Sequence, residues 1–187
     1  MNELQKKIYT KQSGFSLYMV LIIMIVIAFL VVATMHGTST NSRTSANDSD
    51  YQFALENAQK GLKAAQENIS TWASKGTTFS FGCNCENGLC AAKDVDPSKA
   101  NTKLAIVVAC DQSLLKEVWK RNNVFSNSAG DPSISDSGGD YRYVIEYLGP
   151  DNAGTPDVYI FRITSKGWGK NKRTTSIVEE TVQASLY

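Results

Sequence analysis

The sequence predicts an α+β protein. A long N-terminal helix, membrane-spanning in its first half and amphipathic in its second, is expected to pack on a C-terminal antiparallel sheet with a disulfide-stapled insertion. Three observations predict this class. Residues 15–33 carry no charged side chain, apolar residues recur at steps of 4 and 3 from Tyr51 to Trp72, and the last third contains three strand-like segments separated by turn residues.

The composition excludes several classes of function. Among 187 residues, 19 Lys and Arg nearly balance 18 Asp and Glu, so the net charge of +1 favours neither a nucleic-acid-coating protein nor an acidic disordered tail. The single histidine, His36, lies beside the apolar run and argues against a Ser-His-Asp triad and against a multi-histidine metal site. We therefore predict a protein that is not an enzyme and has no cofactor.

The apolar run predicts one membrane-spanning helix over residues 15–35. Its uncharged core extends ~28 Å as a helix, close to the ~30 Å hydrocarbon layer of a bilayer. Lys6, Lys7 and Lys11 precede the run, and the first positive charge after it is Arg43. The positive-inside rule therefore keeps the N-terminus in the cytoplasm and exports the rest. A cleaved secretory signal is the alternative, but its apolar region is normally only ~7–15 residues long.

The junction before the run carries a more specific pattern. A basic leader, Gly14, Phe15 and the apolar helix follow one another, and this order resembles the signal of type IV pilins and type II secretion pseudopilins. The resemblance implies that a prepilin peptidase cleaves after Gly14, which removes residues 1–14 as a leader, and that Phe15 is then N-methylated. A plain signal anchor, in which Phe15 stays joined to Gly14, is the alternative.

The fifth residue after the implied cleavage departs from the usual pilin pattern. Most pilins have a glutamate there, thought to pair with the N-terminal ammonium of a neighbouring subunit, whereas this chain has Met19. A carboxylate in mid-bilayer costs ~2.5 kcal/mol or more, so it is kept only where it has a role. The missing glutamate resembles the tip-type minor pilins of the PilX/PilK type. Divergence in a minor subunit placed elsewhere is the alternative.

The resemblance to PilX/PilK-type minor pilins continues in residues 45–50, 85–90, 143–149 and 166–171, and is poor over 92–140. It implies the type IV pilin fold and a structural minor pilin that primes pilus assembly and caps the filament tip. The implied partners are other minor pilins, the major pilin, the prepilin peptidase and the inner-membrane assembly machinery. The implied location is the inner membrane, with the C-terminal domain in the periplasm or carried to the pilus tip. The alternatives are a minor pseudopilin of a type II secretion system, a DNA-uptake or adhesion pilin, and, least favoured, a signal-anchored periplasmic enzyme.

Residues 36–72 are predicted to contain a polar stretch and an amphipathic helix. Ser, Thr, Asn and Gly dominate residues 37–50, and the sequence leaves open whether this stretch belongs to one long helix or breaks it. The apolar stripe that follows is expected to dock on the sheet, and Gly76 is expected to end the helix. The stripe consists of Tyr51, Leu55, Ala58, Leu62, Ala65, Ile69 and Trp72.

Four cysteines lie in the exported part, where disulfides persist: Cys83, Cys85, Cys90 and Cys110. A bond between Cys83 and Cys85 is disfavoured by geometry, and loop entropy stabilises the two remaining pairings about equally. The Asn-Gly turn pair between Cys85 and Cys90 favours that bond, with Cys83 joined to Cys110. A Cys₄ zinc site is the rival, but the cysteine spacing lacks the paired knuckles of such sites.

Residues 73–187 are expected to form a globular head. A short strand is predicted over 104–109, and Asp111 is expected to cap a helix that carries Leu114, Leu115, Val118 and Trp119. Residues 126–140 are predicted to form a mobile surface or partner-binding loop. Calcium binding by its carboxylates is the less favoured alternative, because they do not match an EF-hand.

The last third predicts an antiparallel meander. Strands are expected over residues 141–148, 157–165 and 173–184, packed on the second half of the helix. The turn between the last two strands is basic, with an exposed-looking tryptophan, so a nucleic-acid contact is considered there. A solvated hairpin with the tryptophan packed on the core is the favoured alternative. The residues of that candidate contact are Lys166, Trp168, Lys170, Lys172 and Arg173.

Overall fold

The structure, a computed structural model, describes residues 15–111, 113, 115–128, 130–151 and 158–186. The predicted leader, including Gly14, lies outside the described residues. The chain forms two units, one that ends at Asn47 and a second that begins at Asp48.

One helix, α1, extends from Phe15 to Lys75. It begins with an apolar segment, Phe15–Met35, that has a mean hydropathy of 3.1 and is long enough to cross a membrane. Residues 37–50 are helical, so the polar stretch is part of α1. Small polar side chains lower helix propensity, but they leave every backbone N–H and C=O available for the helix. The helix ends before Gly76, whose left-handed φ of 58° is rarely adopted by residues with a Cβ.

Seven strands, one short α-helix and two 3₁₀ turns follow α1 in the described residues. The strands and the α-helix are β1 Phe79–Phe81, β2 Leu89–Ala91, α2 Pro97–Ala100, β3 Ala105–Val107, β4 Ile134–Ser135, β5 Tyr141–Pro150, β6 Val158–Trp168 and β7 Thr175–Ser185. The larger sheet has the order β2-β5-β6-β7, and β4 pairs with the edge of β5 that also carries β2. The smaller sheet pairs β1 with β3 in parallel.

The α+β class and the antiparallel meander are confirmed. β5, β6 and β7 are the three predicted strands, each one to three residues longer at its C-terminal end than expected, and the predicted start of the second strand at Asp157 lies outside the described residues. The parallel pairing of β2 with β5 is not predicted. The strand β2, inside the cysteine-rich segment, has only three residues and is too short for an alternating sequence pattern to be detected.

The predicted helix after Asp111 is wrong for the described residues. Asp111 Oδ1 accepts hydrogen bonds from the backbone N–H of Ser113 at 3.0 Å and from its hydroxyl at 2.6 Å, in a local turn. Such a turn competes with helix formation. The only helical element that follows in this described segment is a 3₁₀ turn over Val118–Lys120, and Leu114 lies outside the described residues.

The face of α1 that contacts the sheet is built largely from small residues. Tyr51, predicted on this face, is 52% exposed, and Leu55 and Leu62 are only half-buried. Toward the end of α1, Ile69 and Trp72 complete the face with larger apolar side chains. The fully buried small residues on the face are Ala54, Ala58, Gly61 and Ala65.

Two glycines set how closely α1 approaches β6. A Cβ on Gly61 would overlap the hydroxyl of Ser165 and lie 3.0 Å from the ring of Tyr141. A Cβ on Gly167 would overlap the α1 backbone at Ala54 and Ala58. The lack of a side chain at both positions therefore allows helix and strand to pack nearly backbone to backbone.

A second apolar cluster covers the opposite face of the sheet. As a result, every residue of β5 from Tyr143 to Tyr147 is buried. This arrangement places the cysteine-rich segment and the chain around Val118 against the sheet face that α1 does not cover. The cluster contains Cys85, Cys90, Val118, Val124, Phe125 and Val144.

Candidate functional site

The apolar part of α1 presents an uncovered lipophilic surface. Phe15, the first residue of α1, is 68% exposed, and Met19 is 47% exposed. None of the segment Phe15–Met35 is buried. A helix of this length with no charged side chain satisfies all its backbone polar groups internally, so its side chains can contact either lipid or other apolar helices.

Both disulfides form in the head, in the pairing that the turn argument favours. Cys83 bonds to Cys110, with 5.8 Å between their Cα atoms, and Cys85 bonds to Cys90, with 4.0 Å between theirs. The five-residue separation of the second bond closes a short loop, and the backbone N–H of Gly88 donates to the carbonyl of Cys85 at 2.9 Å within it. The cysteine-rich segment is thus held by one disulfide within it and by a second disulfide to Cys110.

Arg121 ties this stapled segment to the sheet. Its Nη1 donates to Cys85 Sγ at 3.2 Å and its Nη2 to the carbonyl of Ala91 at 2.9 Å. The same Nη2 lies 3.5 Å from Oε1 of Glu146 on β5, an ion pair without hydrogen-bond geometry. One guanidinium therefore connects the disulfide loop, β2 and the centre of the sheet.

Glu146 is a fully buried carboxylate at the centre of the sheet. Arg162, its neighbour on β6, donates from Nε to Glu146 Oε2 at 2.7 Å. Burial raises the pKa of Glu146, against the hydrogen bond and charge of Arg162, which lower it. This pair is not predicted from the sequence, although a single charged residue within the apolar run of β5 is a signal that could have revealed it.

The turn considered for a nucleic-acid contact packs on α1 instead. Trp168 is only 5% exposed, so its exposed appearance in the sequence is misleading. Asn57 on α1 donates to the carbonyl of Trp168 at 2.8 Å, and the ammonium of Lys170 lies 3.9 Å from the ring centre of Phe53.

Of the other basic groups of this turn, the ammonium groups of Lys166 and Lys172 have partners. Lys166 is half-buried, its ammonium donates to the carbonyl of Phe125 at 3.4 Å, and burial lowers its pKa. Lys172 pairs with Asp140 at 2.5 Å. Arg173 is exposed, and its backbone N–H donates to the side chain of Asn171 at 2.8 Å. The turn therefore presents fewer free cations to an anionic backbone than its sequence suggests.

The loop over 126–140 is held by its own carboxylates. Asp131 Oδ1 accepts from the backbone N–H of Ser133 at 3.0 Å, and Asp136 Oδ1 accepts from the backbone N–H of Asp140 at 2.8 Å. Across residues 130–140 and the other described positions, no group of three or more His, Cys, Asp or Glu could hold a metal ion.

A comparison with known protein families identifies the family to which the head is related. A family model described as the C-terminal part of the type IV pilus assembly protein PilX matches residues 86–184. The chain belongs to the PilX family of type IV pilus assembly proteins. The match covers β2, β4, β5, β6 and all but the last residue of β7, so the PilX part contains nearly all of the larger sheet and the network around Glu146. No curated protein and no solved structure matches the chain.

The PilX family is a pilus assembly family and not an enzyme family. Its assignment agrees with the observed architecture, an N-terminal apolar helix followed by a sheet and disulfides, as in the pilin fold. An assembly role also suggests contacts with other pilus components. The predicted cleavage site at Gly14 lies outside the described residues, and the structure describes Phe15 and Met19 as exposed helical positions.

Proposed function

We propose that this PilX-family protein is a non-enzymatic minor pilin that primes type IV pilus assembly. After cleavage behind Gly14, the helix beginning at Phe15 stays on the mature chain and packs beside the apolar helices of other minor pilins and the major pilin. The uncovered surface of Phe15–Met35 is the observation that carries the proposal. Close packing among apolar helices stabilises such a complex through van der Waals contacts, because lipid supplies no hydrophobic driving force between helices.

We further propose a place at the filament tip and an inner-membrane location with a periplasmic head before assembly. A subunit at the tip has no subunit ahead of it, so a carboxylate at position 19 has no terminal ammonium to pair with. Met19 supports this placement, because it avoids the cost of a charge in the bilayer. The three lysines before the helix support the orientation.

Deletion of the gene, followed by complementation, tests the priming role. We expect the deletion strain to lose most surface filaments, counted by electron microscopy and by the amount of sheared major pilin. The Ser13→Ala variant should restore them, whereas Gly14→Leu should not, because a side chain at position 14 obstructs the peptidase. Normal filament numbers in the deletion strain would contradict the priming role.

The Met19→Glu variant tests tip placement separately. Its single carboxylate should be tolerated in the membrane, with normal protein levels, but should reduce filament initiation because the chain then carries the glutamate of an internal subunit. Met19→Leu is the matched control and should behave as the native protein. Native filament numbers with Met19→Glu would count against the tip while leaving priming intact.

A further inference from the structure

Two clefts meet at the stapled loop of the head. One, of about 470 Å³, is lined by Asn84, Glu86, Asn122 and Asn123 among others. The other, of about 400 Å³, shares Asn84 and Glu86 and extends to Asn87. Both volumes fall in the range of small-molecule sites, roughly 300–1,000 Å³. Asn84 and Glu86 line both clefts, so the two clefts adjoin each other at the loop, and the pair is called the depression below.

Asparagine amides dominate the polar lining of this depression. Asn84, Asn87, Asn122 and Asn123 are all exposed. In the part of the chain that the structure describes, none of these four amide groups has a hydrogen-bond partner, in contrast to Asn57 and Asn68 of α1. Each amide offers two donors and one acceptor oxygen, so the two clefts together present several donors and acceptors that the described residues leave unused.

The loop that carries two of these amides is rigid. Cys85 and Asn87 both adopt left-handed backbone conformations, with φ of 59° and 52°. The Cys85–Cys90 disulfide and the contact of Arg121 with Cys85 hold this backbone in place. Such conformations persist where the surrounding structure fixes them and are frequent at binding sites. A fixed loop loses little conformational freedom when a ligand binds.

The charge of the depression is close to neutral. Arg121, which lines the first cleft, is already engaged with Glu146 and with the carbonyl of Ala91. The carboxylate of Glu86 is exposed and has no ion-pair partner among the described residues. Among the described residues that line the two clefts there is no cluster of cations for a phosphate backbone, and nucleic-acid affinity depends on such charges.

A peptide strand is also disfavoured as the occupant. The backbone N–H of Gly82 donates to Leu89 at 3.2 Å, and its carbonyl accepts from Ala91 at 2.8 Å. The backbone of Gly82 is therefore already paired with residues of β2, whereas strand addition needs an unpaired edge. A ligand rich in hydroxyl groups instead matches amides that donate and accept, and the partly exposed ring of Phe79 in the second cleft offers an apolar surface to the carbon face of a sugar.

We propose that this depression binds a neutral oligosaccharide through Asn84, Asn87, Asn122 and Asn123. The inference goes beyond the assembly role, since the amides belong to the head and not to the apolar helix. The hydroxyl groups of two or three successive sugar units exchange hydrogen bonds with the amides.

Titration of the full chain with defined sugars tests this inference. The protein is held in lauryldimethylamine oxide micelles, because alkyl glycoside detergents would compete for the site. Maltotetraose, cellotetraose and N,N′,N″,N‴-tetraacetylchitotetraose are the probes, followed by calorimetry and by the side-chain amide signals in ¹H–¹⁵N spectra. We expect saturable binding of at least one probe, with shifts confined to the cleft asparagines.

The Asn84→Ala/Asn122→Ala double variant should weaken that binding at least tenfold, while Asn47→Ala, an exposed asparagine of α1, should leave it unchanged. Near-UV circular dichroism verifies the fold, and Asn84→Gln should retain part of the affinity if the double variant misfolds. Absence of binding by all three sugars, equal affinity of the double variant, or preference for an unrelated extended peptide would overturn the proposal. Filament numbers should be normal in the double variant, so failure here is distinguishable from failure of the assembly role.

Discussion

Gly61→Ala should destabilise the head, although alanine is the better helix former. Replacing an interior helical glycine by alanine gains about 1 kcal/mol of helix propensity. A Cβ at this position, however, overlaps the hydroxyl of Ser165, which is fully buried and donates to the carbonyl of Arg142 at 3.3 Å. The added methyl must therefore displace a side chain that has a defined hydrogen bond.

The opposing terms can be compared in size. Forcing a methyl group into a packed core costs about 1–3 kcal/mol, and losing the Ser165 hydrogen bond costs about 1 kcal/mol. The gain of about 1 kcal/mol in helix propensity offsets part of these two costs. We therefore expect the free energy of unfolding to fall by a net amount of about 1–3 kcal/mol. Adding Ser165→Gly removes the overlap, so the double variant should recover part of the loss through a favourable coupling energy.

Thermal unfolding of the full chain in detergent micelles measures this effect. Buried Trp72 and Trp168 report the fold by near-UV circular dichroism, and each kcal/mol should shift the midpoint by about 2–4 °C. Gly82→Ala is the matched control, because a Cβ there meets no atom within 4 Å. A Gly61→Ala protein as stable as the native chain, or more stable, would refute the close packing of α1 on β6.

Three further predictions concern the same head. Gly167→Ala should lower the stability of the head more than Gly61→Ala does, because its Cβ meets the α1 backbone, which cannot turn aside as a side chain can. Equal losses in the same thermal assay would contradict this. Glu146→Gln should cost about 3–5 kcal/mol in urea unfolding, because Arg162 loses its charged partner within the sheet; a native midpoint would show that the pair is dispensable. A hydrogen bond from its own backbone N–H, together with Lys120, lowers the pKa of Glu117 from 4.5 to about 2. The folded state thus binds its proton less readily, and the stability it contributes is lost as the pH falls from 4.5 toward 2, so Glu117→Gln should flatten this part of the pH–stability curve.

The long elements could be predicted because their periods are long enough to detect. The spacing from Tyr51 to Trp72 predicts a helix, and strand-like segments separated by turn residues predict β5, β6 and β7. The same spacing misplaces Tyr51, since it weights large apolar residues, whereas the sheet approaches α1 over Ala54, Ala58 and Gly61. Small residues give a weak periodic signal although they allow the closest packing.

The contacts that organise the head are distant in sequence and have no local signature. Arg121 contacts Glu146, which lies 25 positions further along the chain, and the parallel pairing of β2 with β5 joins residues 89–91 to 145–147. Trp168 is flanked by glycine and lysine, as in an exposed turn, yet it ends β6 and is buried. A sequence pattern describes one segment, whereas these environments depend on which second segment packs against it.

The N-terminus of the native chain tests the central claim most directly. Mass spectrometry of the protein purified from its own cells should find an N-terminal peptide that begins at Phe15 and carries one N-methyl group, with the apolar helix still attached. A mature chain that begins at Met1, or at any residue after Met35, would contradict the proposal that this helix is a processed pilin helix retained for assembly.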